Sequence, residues 1–245
     1  MRAVFDFLVE LYLIPLRLST RLARYAKGKI LRYDNHYNSS LDVIKRYCQT
    51  NRLAVVDIGA YDGDSTFYLA KRLPNNEILG FEPNPEPFTI AKSNSSRHPN
   101  VKMFNIGFSG ITGEKSLFVT NDLVSSSLLQ VGDTNEFEFK KSISVKVSTL
   151  DDFFLNYEGI LLIKLDVQGA ELDILKSGNE TIAKTRFILT EMLNANLYDG
   201  SCQYFDVDLY LRNAGFKMHS IFSDYNHAGT KYFDALYFNE RFISF

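Results

Sequence analysis

The feature that most constrains this chain is a repeated pairing of a short, wholly apolar run with a helical stretch, beginning near Leu53. Leu53–Ile58 (LAVVDI) is almost entirely aliphatic and leads into Gly59; Ile78–Glu82 (ILGFE), Val101–Ile106 and Ile160–Asp166 (ILLIKLD) are of the same kind. A strand with one face in water alternates apolar and polar residues, so continuous runs predict strands covered on both faces, the condition of a parallel sheet. Helical stretches lie between them: Ser65–Leu73, stopped by Pro74; a helix opened by the turn Pro83–Pro87 and running to about Ser93; and Ala170–Ser177. Phe187–Glu191 predicts another strand, and Phe205–Asn213 an amphipathic helix closed at Ala214-Gly215. Lys217–Phe222 and Tyr232–Asn239, joined by a short loop, predict an antiparallel hairpin at one edge. Glu114–Thr120 and Ile143–Val147 break the rhythm and predict a β insertion around the serine-rich stretch Ser125–Gln130. The whole predicts an open α/β fold, a mainly parallel sheet with helices on both faces.

At 245 residues the chain accommodates one large domain and a small extension, predicted as an N-terminal helical extension over 1–50 and an α/β domain over 51–245. Residues 3–18 are apolar but are interrupted by Asp6, Glu10 and Pro15, whereas a spanning helix wants about 20 mostly apolar residues. Arg17, Arg21 and Arg24 then recur at helical spacing, followed by Lys27, Lys29 and Arg32. Two readings stand for this segment: a helix packed on the domain or on a second subunit of a homodimer, and a peripheral contact with an anionic membrane. A net charge of −2 argues against broad nucleic-acid binding. The two cysteines, Cys48 and Cys202, form no C-x-x-C pattern, which disfavours a disulfide framework or zinc site and points to a reducing, cytoplasmic compartment.

In open α/β sheets ligands bind past the carboxyl ends of the strands. Past the first strand stand Asp57, Gly59, Ala60, Tyr61, Asp62 and Gly63. Gly59 and Gly63 permit a tight turn and close approach to a ligand. The spacing D-x-G-x-x-x-G differs from the G-x-G-x-x-G that cradles a pyrophosphate, and the two aspartates would repel phosphate but attract an ammonium or sulfonium group. Glu82 ends the second strand, where such folds place an acid that accepts hydrogen bonds from ribose hydroxyls. A nucleoside carrying a cationic amino acid fits both parts, which describes S-adenosylmethionine. On this reading Asp57, Gly59, Ala60, Tyr61, Asp62 and Gly63 form the amino-acid end of the site, Glu82 holds the ribose and Asn84 borders it. Phe81 and Phe108 either flank adenine or fill the core.

These residues also carry a resemblance. VVDIGAYDGDST (55–66), GFEPNP (80–85), VSTLDDFF (147–154) and above all IKLDVQGAELDILKSG (163–178) are similar to the motifs of the FkbM-type methyltransferases, over roughly residues 53–240. The last block matches the family's D-V-E-G-A-E signature, except that Gln168 stands where that signature usually has an acid, so a role needing charge does not carry over. The resemblance implies the Rossmann-like class I methyltransferase fold, with a mainly parallel seven-stranded sheet. It also implies S-adenosylmethionine-dependent O-methylation of sugars, glycans or secondary metabolites, and it puts Asp166 where substrate and cofactor meet.

A hydroxyl acceptor must lose its proton to a carboxylate or histidine within hydrogen-bond reach. Asp166, Glu171, Glu191 and His227 are the candidates, with Asp166 favoured; Glu171 is equally suited to capping the helix that follows it. No metal is expected, the alternative being Mg²⁺ held by these same four residues, for which no local motif speaks. Two other classes remain open. An NAD-linked oxidoreductase or epimerase lacks its third close glycine and a Tyr-x-x-x-Lys pair here, and a non-catalytic binding module would keep the fold without turnover. N-methylation is disfavoured because no Asn/Asp-Pro-Pro-Tyr-like motif follows Ile160–Asp166.

Overall fold

The computed structural model describes residues 38–47, 53–134, 136–222 and 231–243. The N-terminal segment with its arginines, Cys48 and His227 lie outside the described residues. Two compact units are distinguished, Met1–Asp42 and Val43–Phe245; the first described element is helix α1 (Asn38–Tyr47). Among the described residues no helix is long and apolar enough to cross a membrane.

In the second unit the alternation read from the sequence is present: β1 (Ala54–Ile58), α2 (Asp64–Arg72), β2 (Ile78–Phe81), α3 (Pro85–Ser95) and β3 (Val101–Phe104). β1 and β2 are buried at every position, as their unbroken apolar runs require. Three strands follow, β4 (Gly107–Phe108), β5 (Gly113–Thr120) and β6 (Phe139–Ser148). The chain then continues as α4 (Leu150–Phe154), β7 (Ile160–Leu165), α5 (Glu171–Lys176), α6 (Asn179–Ala183), β8 (Thr185–Leu193), α7 (Tyr204–Asn213), β9 (Phe216–Phe222) and β10 (Tyr232–Asn239).

Seven strands form the main sheet in the order β3-β2-β1-β7-β8-β10-β9. From β3 to β8 all pairings are parallel, and β10 runs antiparallel to both neighbours. The C-terminal hairpin occupies one edge as expected, with the last strand inserted between β8 and β9. The insertion forms its own three-stranded sheet, β4-β6-β5, over a small core of Leu117, Val119, Val145 and Val147. The main core is built from the sheet and its helices: Val56, Ile58, Leu79, Ile163, Leu165, Ile188, Leu211 and Phe216 are all within it. Each such side chain contributes roughly 1.5–3 kcal/mol by leaving water.

The topology locates a binding crevice. From β1 the chain moves to β2 and β3 on one side, then returns to lay β7 on the other, so the strand order reverses between β1 and β7. Ile58 is in register with both Phe81 of β2 and Leu165 of β7, so three loops leave the sheet at the same level.

Candidate active site

The loop after β1 is shaped by left-handed backbone: φ is +84° at Gly59, 50° at Tyr61 and +89° at Gly63. Gly59 has no alternative residue, because a Cβ there would lie 1.9 Å from the carbonyl oxygen of Asp166. The amide of Asp166 donates to the Ile58 carbonyl (3.1 Å), so the loops after β1 and β7 touch along their backbones. α2 starts at this loop without a side-chain cap.

Glu82 joins the loops after β1 and β2. Its Oε2 accepts from the Tyr61 amide (2.9 Å) and its Oε1 from the Asn84 amide (2.7 Å). The side chain of Asn105 donates to the carbonyls of Glu82 and Pro83, holding the turn from the far side. Burial pushes the Glu82 carboxyl up to about 7; the two amides oppose the rise, and the charges of Asp57 and Asp166 add to it. Asn84 caps α3 by accepting from the Glu86 amide (3.2 Å), with Pro85 in the first turn. Its Oδ1 is thereby used, and its Nδ2, though buried, has no hydrogen-bond partner.

At the end of β7 lies a second polar group. Lys164, in register with Asp57 across the parallel strands, is buried, with its Nζ 3.1 Å from Asp57 Oδ1 and 3.6 Å from Asp166 Oδ2. Asp57 is fully buried, and its Oδ2 also accepts from Ser65 Oγ (2.6 Å) and Thr66 Oγ1 (2.7 Å). Asp166 has a side chain 26% exposed, and its Oδ1 accepts from Gln168 Nε2 (2.9 Å). The same amide nitrogen donates to Glu191 Oε2 (2.9 Å), and Tyr198 Oη donates to Gln168 Oε1 (2.7 Å). Ser127 Oγ donates to the Gln168 carbonyl (2.8 Å). The segments 121–130 and 194–203 therefore both close on Gln168. They also bond each other through Asp199 N to Gln130 O (2.9 Å), and Gly132, just past the first segment, donates its amide to Leu197 O (2.9 Å).

The structure thus brings Gly59, Ala60, Tyr61, Asp62, Gly63, Glu82, Asn84 and Asp166 to one crevice. Asp57 takes a different position from the one expected, and for Phe81, Phe108 and Glu171 the structure selects the structural role of the two read from the sequence. Asp57 does not reach the mouth of the loop: Lys164, Ser65 and Thr66 engage both its oxygens beneath it, so it fixes the loop's shape. Phe108 is 1% exposed and is packed against Phe81, Phe153 and Phe154 at ring distances of 4.9, 5.7 and 5.9 Å, which makes it core and not a wall for adenine. Phe81 belongs to the same aromatic cluster. Glu171 is buried, and its Oε1 accepts from the amides of Val167 (3.1 Å) and Gly169 (3.3 Å), so it braces the loop before α5 and is not placed to take a substrate proton. Burial pushes it up to about 7. Among the described residues no group of three or more His, Cys, Asp or Glu side chains could hold a metal ion.

Lys164, Asn105 and Tyr198 escaped the sequence reading. Lys164 had left a signal: a lone charge in an aliphatic strand must be paired, and Asp57 is the charge at the matching level of β1. Asn105 and Tyr198 leave none.

A family model described as the methyltransferase FkbM domain matches residues 57–218. The chain belongs to the FkbM methyltransferase family. Among relatives, the 2-O-methyltransferase NoeI of Sinorhizobium fredii is 31% identical over 159 residues, 60% of this chain and 65% of NoeI. The hexuronic acid methyltransferase AglP of Haloferax volcanii is 25% identical over 118 residues, 47% of this chain and 46% of AglP. The alignments thus span just under two thirds of NoeI and less than half of AglP. Among solved structures, the magnesium protoporphyrin IX methyltransferase ChlM from Synechocystis, with bound S-adenosylmethionine, superposes with a TM-score of 0.51 at 10% identity, covering 86% of this chain and 81% of ChlM. That likeness establishes the class I methyltransferase fold.

S-adenosylmethionine is the methyl donor of FkbM methyltransferases, and the residues present fit it. The left-handed glycine loop admits close approach, the buried Glu82 offers a carboxylate acceptor beside it, and the unpartnered Asn84 Nδ2 is a donor awaiting an acceptor.

Proposed function

We propose that this FkbM methyltransferase methylates a hydroxyl group of a sugar or glycan. The observation that carries the reading is Asp166: a partly exposed carboxylate at the end of β7, in backbone contact with the glycine loop and held by Lys164 and Gln168. When bound, S-adenosylmethionine supplies an activated methyl on a positive sulfur, and in-line displacement by a hydroxyl oxygen releases S-adenosylhomocysteine and a proton.

On this reading the chain does three things. Residues 59–63, with Asp62 toward the amino group, and Glu82 toward the ribose fix the donor, so that positioning lowers the barrier. Asp166 accepts the acceptor's hydroxyl proton as the carbon–oxygen bond forms. The interlocked segments 121–130 and 194–203 shape the acceptor pocket. The sugar assignment draws support from AglP, named a hexuronic acid methyltransferase, and the O-methylation from NoeI, named a 2-O-methyltransferase.

The test is transfer of a tritiated methyl group to a panel of monosaccharides, uronic acids and oligosaccharides, with the product's linkage read by mass spectrometry. O-methylated sugar supports the reading. Calorimetric binding of S-adenosylhomocysteine with no transfer to any sugar would reject the acceptor while keeping the donor. The N-terminal segment is proposed to serve as a packing or membrane-contacting helix in a cytoplasmic enzyme. Liposome flotation of the full chain against one beginning near Asp34 separates the two, equal flotation excluding membrane contact.

A further inference from the structure

Gln168 makes three side-chain hydrogen bonds in the crevice, and the reading above uses only the one to Asp166. It sits at φ 58°, followed by Gly169 at φ 98°, a backbone path that turns its side chain off the strand direction at the end of β7. Its amide nitrogen has two hydrogens and two carboxylate partners, Asp166 Oδ1 and Glu191 Oε2, each at 2.9 Å. Which end of the amide faces the carboxylates follows from chemistry. Turned over, its oxygen would face two carboxylate oxygens where its two N–H groups now meet them. Ser127 Oγ ties down the backbone carbonyl of the same residue. The amide is therefore fixed at both ends.

Amide N–H bonds diverge by about 120°, so two acceptors at this distance are held about 5 Å apart, whereas carboxylates sharing a proton approach to roughly 2.5–2.7 Å. A third acid, Asp234, stands opposite Glu191 in the β8–β10 register and is buried. So much negative charge at one strand end would ordinarily recruit a proton or a hard cation. Lys164 faces Asp57 and Asp166.

We infer that Gln168 is a positioning residue that keeps Asp166 and Glu191 apart and separately hydrogen-bonded, occupying with a neutral amide the place a bridging proton or divalent cation would otherwise take. For catalysis the consequence is that Asp166 keeps its proton-accepting capacity without a metal, a step that rests on the assignment of Asp166 as the base. The separation itself does not rest on that assignment, and it is what the experiment reads.

The experiment uses the full chain and Mn²⁺ (as MnCl₂), followed by the electron paramagnetic resonance signal of the free ion and by thermal melting. The natural protein is expected to show no Mn²⁺ binding that Asp166→Asn removes. Gln168→Glu is expected to bind Mn²⁺ at least about tenfold more tightly, to melt at a higher temperature in its presence, and to lose both effects when combined with Asp166→Asn. Should Gln168→Glu fail to fold, Gln168→Met removes the separator without adding charge and is expected to gain Mn²⁺ stabilisation that the natural protein lacks. Asp166-dependent Mn²⁺ binding by the natural protein overturns the inference, as does a folded variant at position 168 that gains none. Neither result bears on sugar O-methylation, which the transfer assay decides separately.

Discussion

Replacing Glu82 by Gln separates the two things this carboxylate does. In the free protein its two oxygens accept from the amides of Tyr61 and Asn84 while burial raises it from 4.5 to about 7. A carboxyl whose folded value is raised contributes stability that is fully present below its unfolded value and is lost as pH rises through the folded one. The natural protein therefore loses stability between about pH 4.5 and 7, and the shift of 2.5 units (7 less 4.5) corresponds to about 3 kcal/mol. Glutamine never ionises, so Glu82→Gln escapes that loss. It has only one oxygen, however, so one backbone N–H is left facing an amide group, at roughly 1–3 kcal/mol. The variant should be less stable than the natural protein at pH 4.5 by that amount, and equal or more stable at pH 8.5. Urea unfolding of both proteins at the two pH values measures the difference of differences, expected near 3 kcal/mol. Donor binding moves the other way. Loss of a charge-assisted hydrogen bond worth about 1.5–3 kcal/mol should weaken S-adenosylhomocysteine binding at pH 8 by roughly tenfold or more in calorimetry. A stability difference that ignores pH would refute the burial argument, and an unchanged affinity would refute the ribose assignment.

Three further outcomes are expected. Asp166→Asn should lower methyl transfer by about 10²–10⁴-fold, the usual worth of a positioned base, while S-adenosylhomocysteine affinity changes little; equal losses would mean that Asp166 only holds the donor. Lys164→Met should lower unfolding free energy by about 3–5 kcal/mol in urea, because the buried Asp57 carboxyl would lose its cationic partner and keep only the hydroxyls of Ser65 and Thr66; a loss below 1 kcal/mol would show the pair to be dispensable. Gly59→Ala should abolish donor binding by forcing the loops after β1 and β7 apart, since the added carbon meets the Asp166 carbonyl at 1.9 Å; an unchanged calorimetric trace would exclude that packing.

The uneven legibility of this site has a physical cause. Which residues stand at the strand ends follows from alternation alone: LAVVDI, ILGFE and ILLIKLD each stop where Gly59, Glu82 and Asp166 begin the loops, and the structure has β1, β2 and β7 ending at Ile58, Phe81 and Leu165. The two-residue β4 and the five-residue α4 and α6 left no trace, because periodicity needs more than one turn to register. Which way a carboxylate turns is a different question, decided by partners far along the chain. Asp57 sits in a strand buried on both faces, so no polar face remains to send its side chain outward, and Lys164 meets it from 107 positions away (164 less 57). Glu171 and Asp166 belong to one signature only five positions apart, yet Val167 and Gly169 turn their amides to Glu171 and leave Asp166 to Lys164 and Gln168. Gln168 shows the limit most plainly. Its departure from the family's acid is visible in the sequence, but its meaning appears only where Tyr198, 30 residues on, folds back to hold the amide oxygen and so aims the nitrogen at Asp166 and Glu191. In a cluster of buried acids the identity of each group is local, but its function is set by which neighbour satisfies its last lone pair, and that neighbour is supplied by topology.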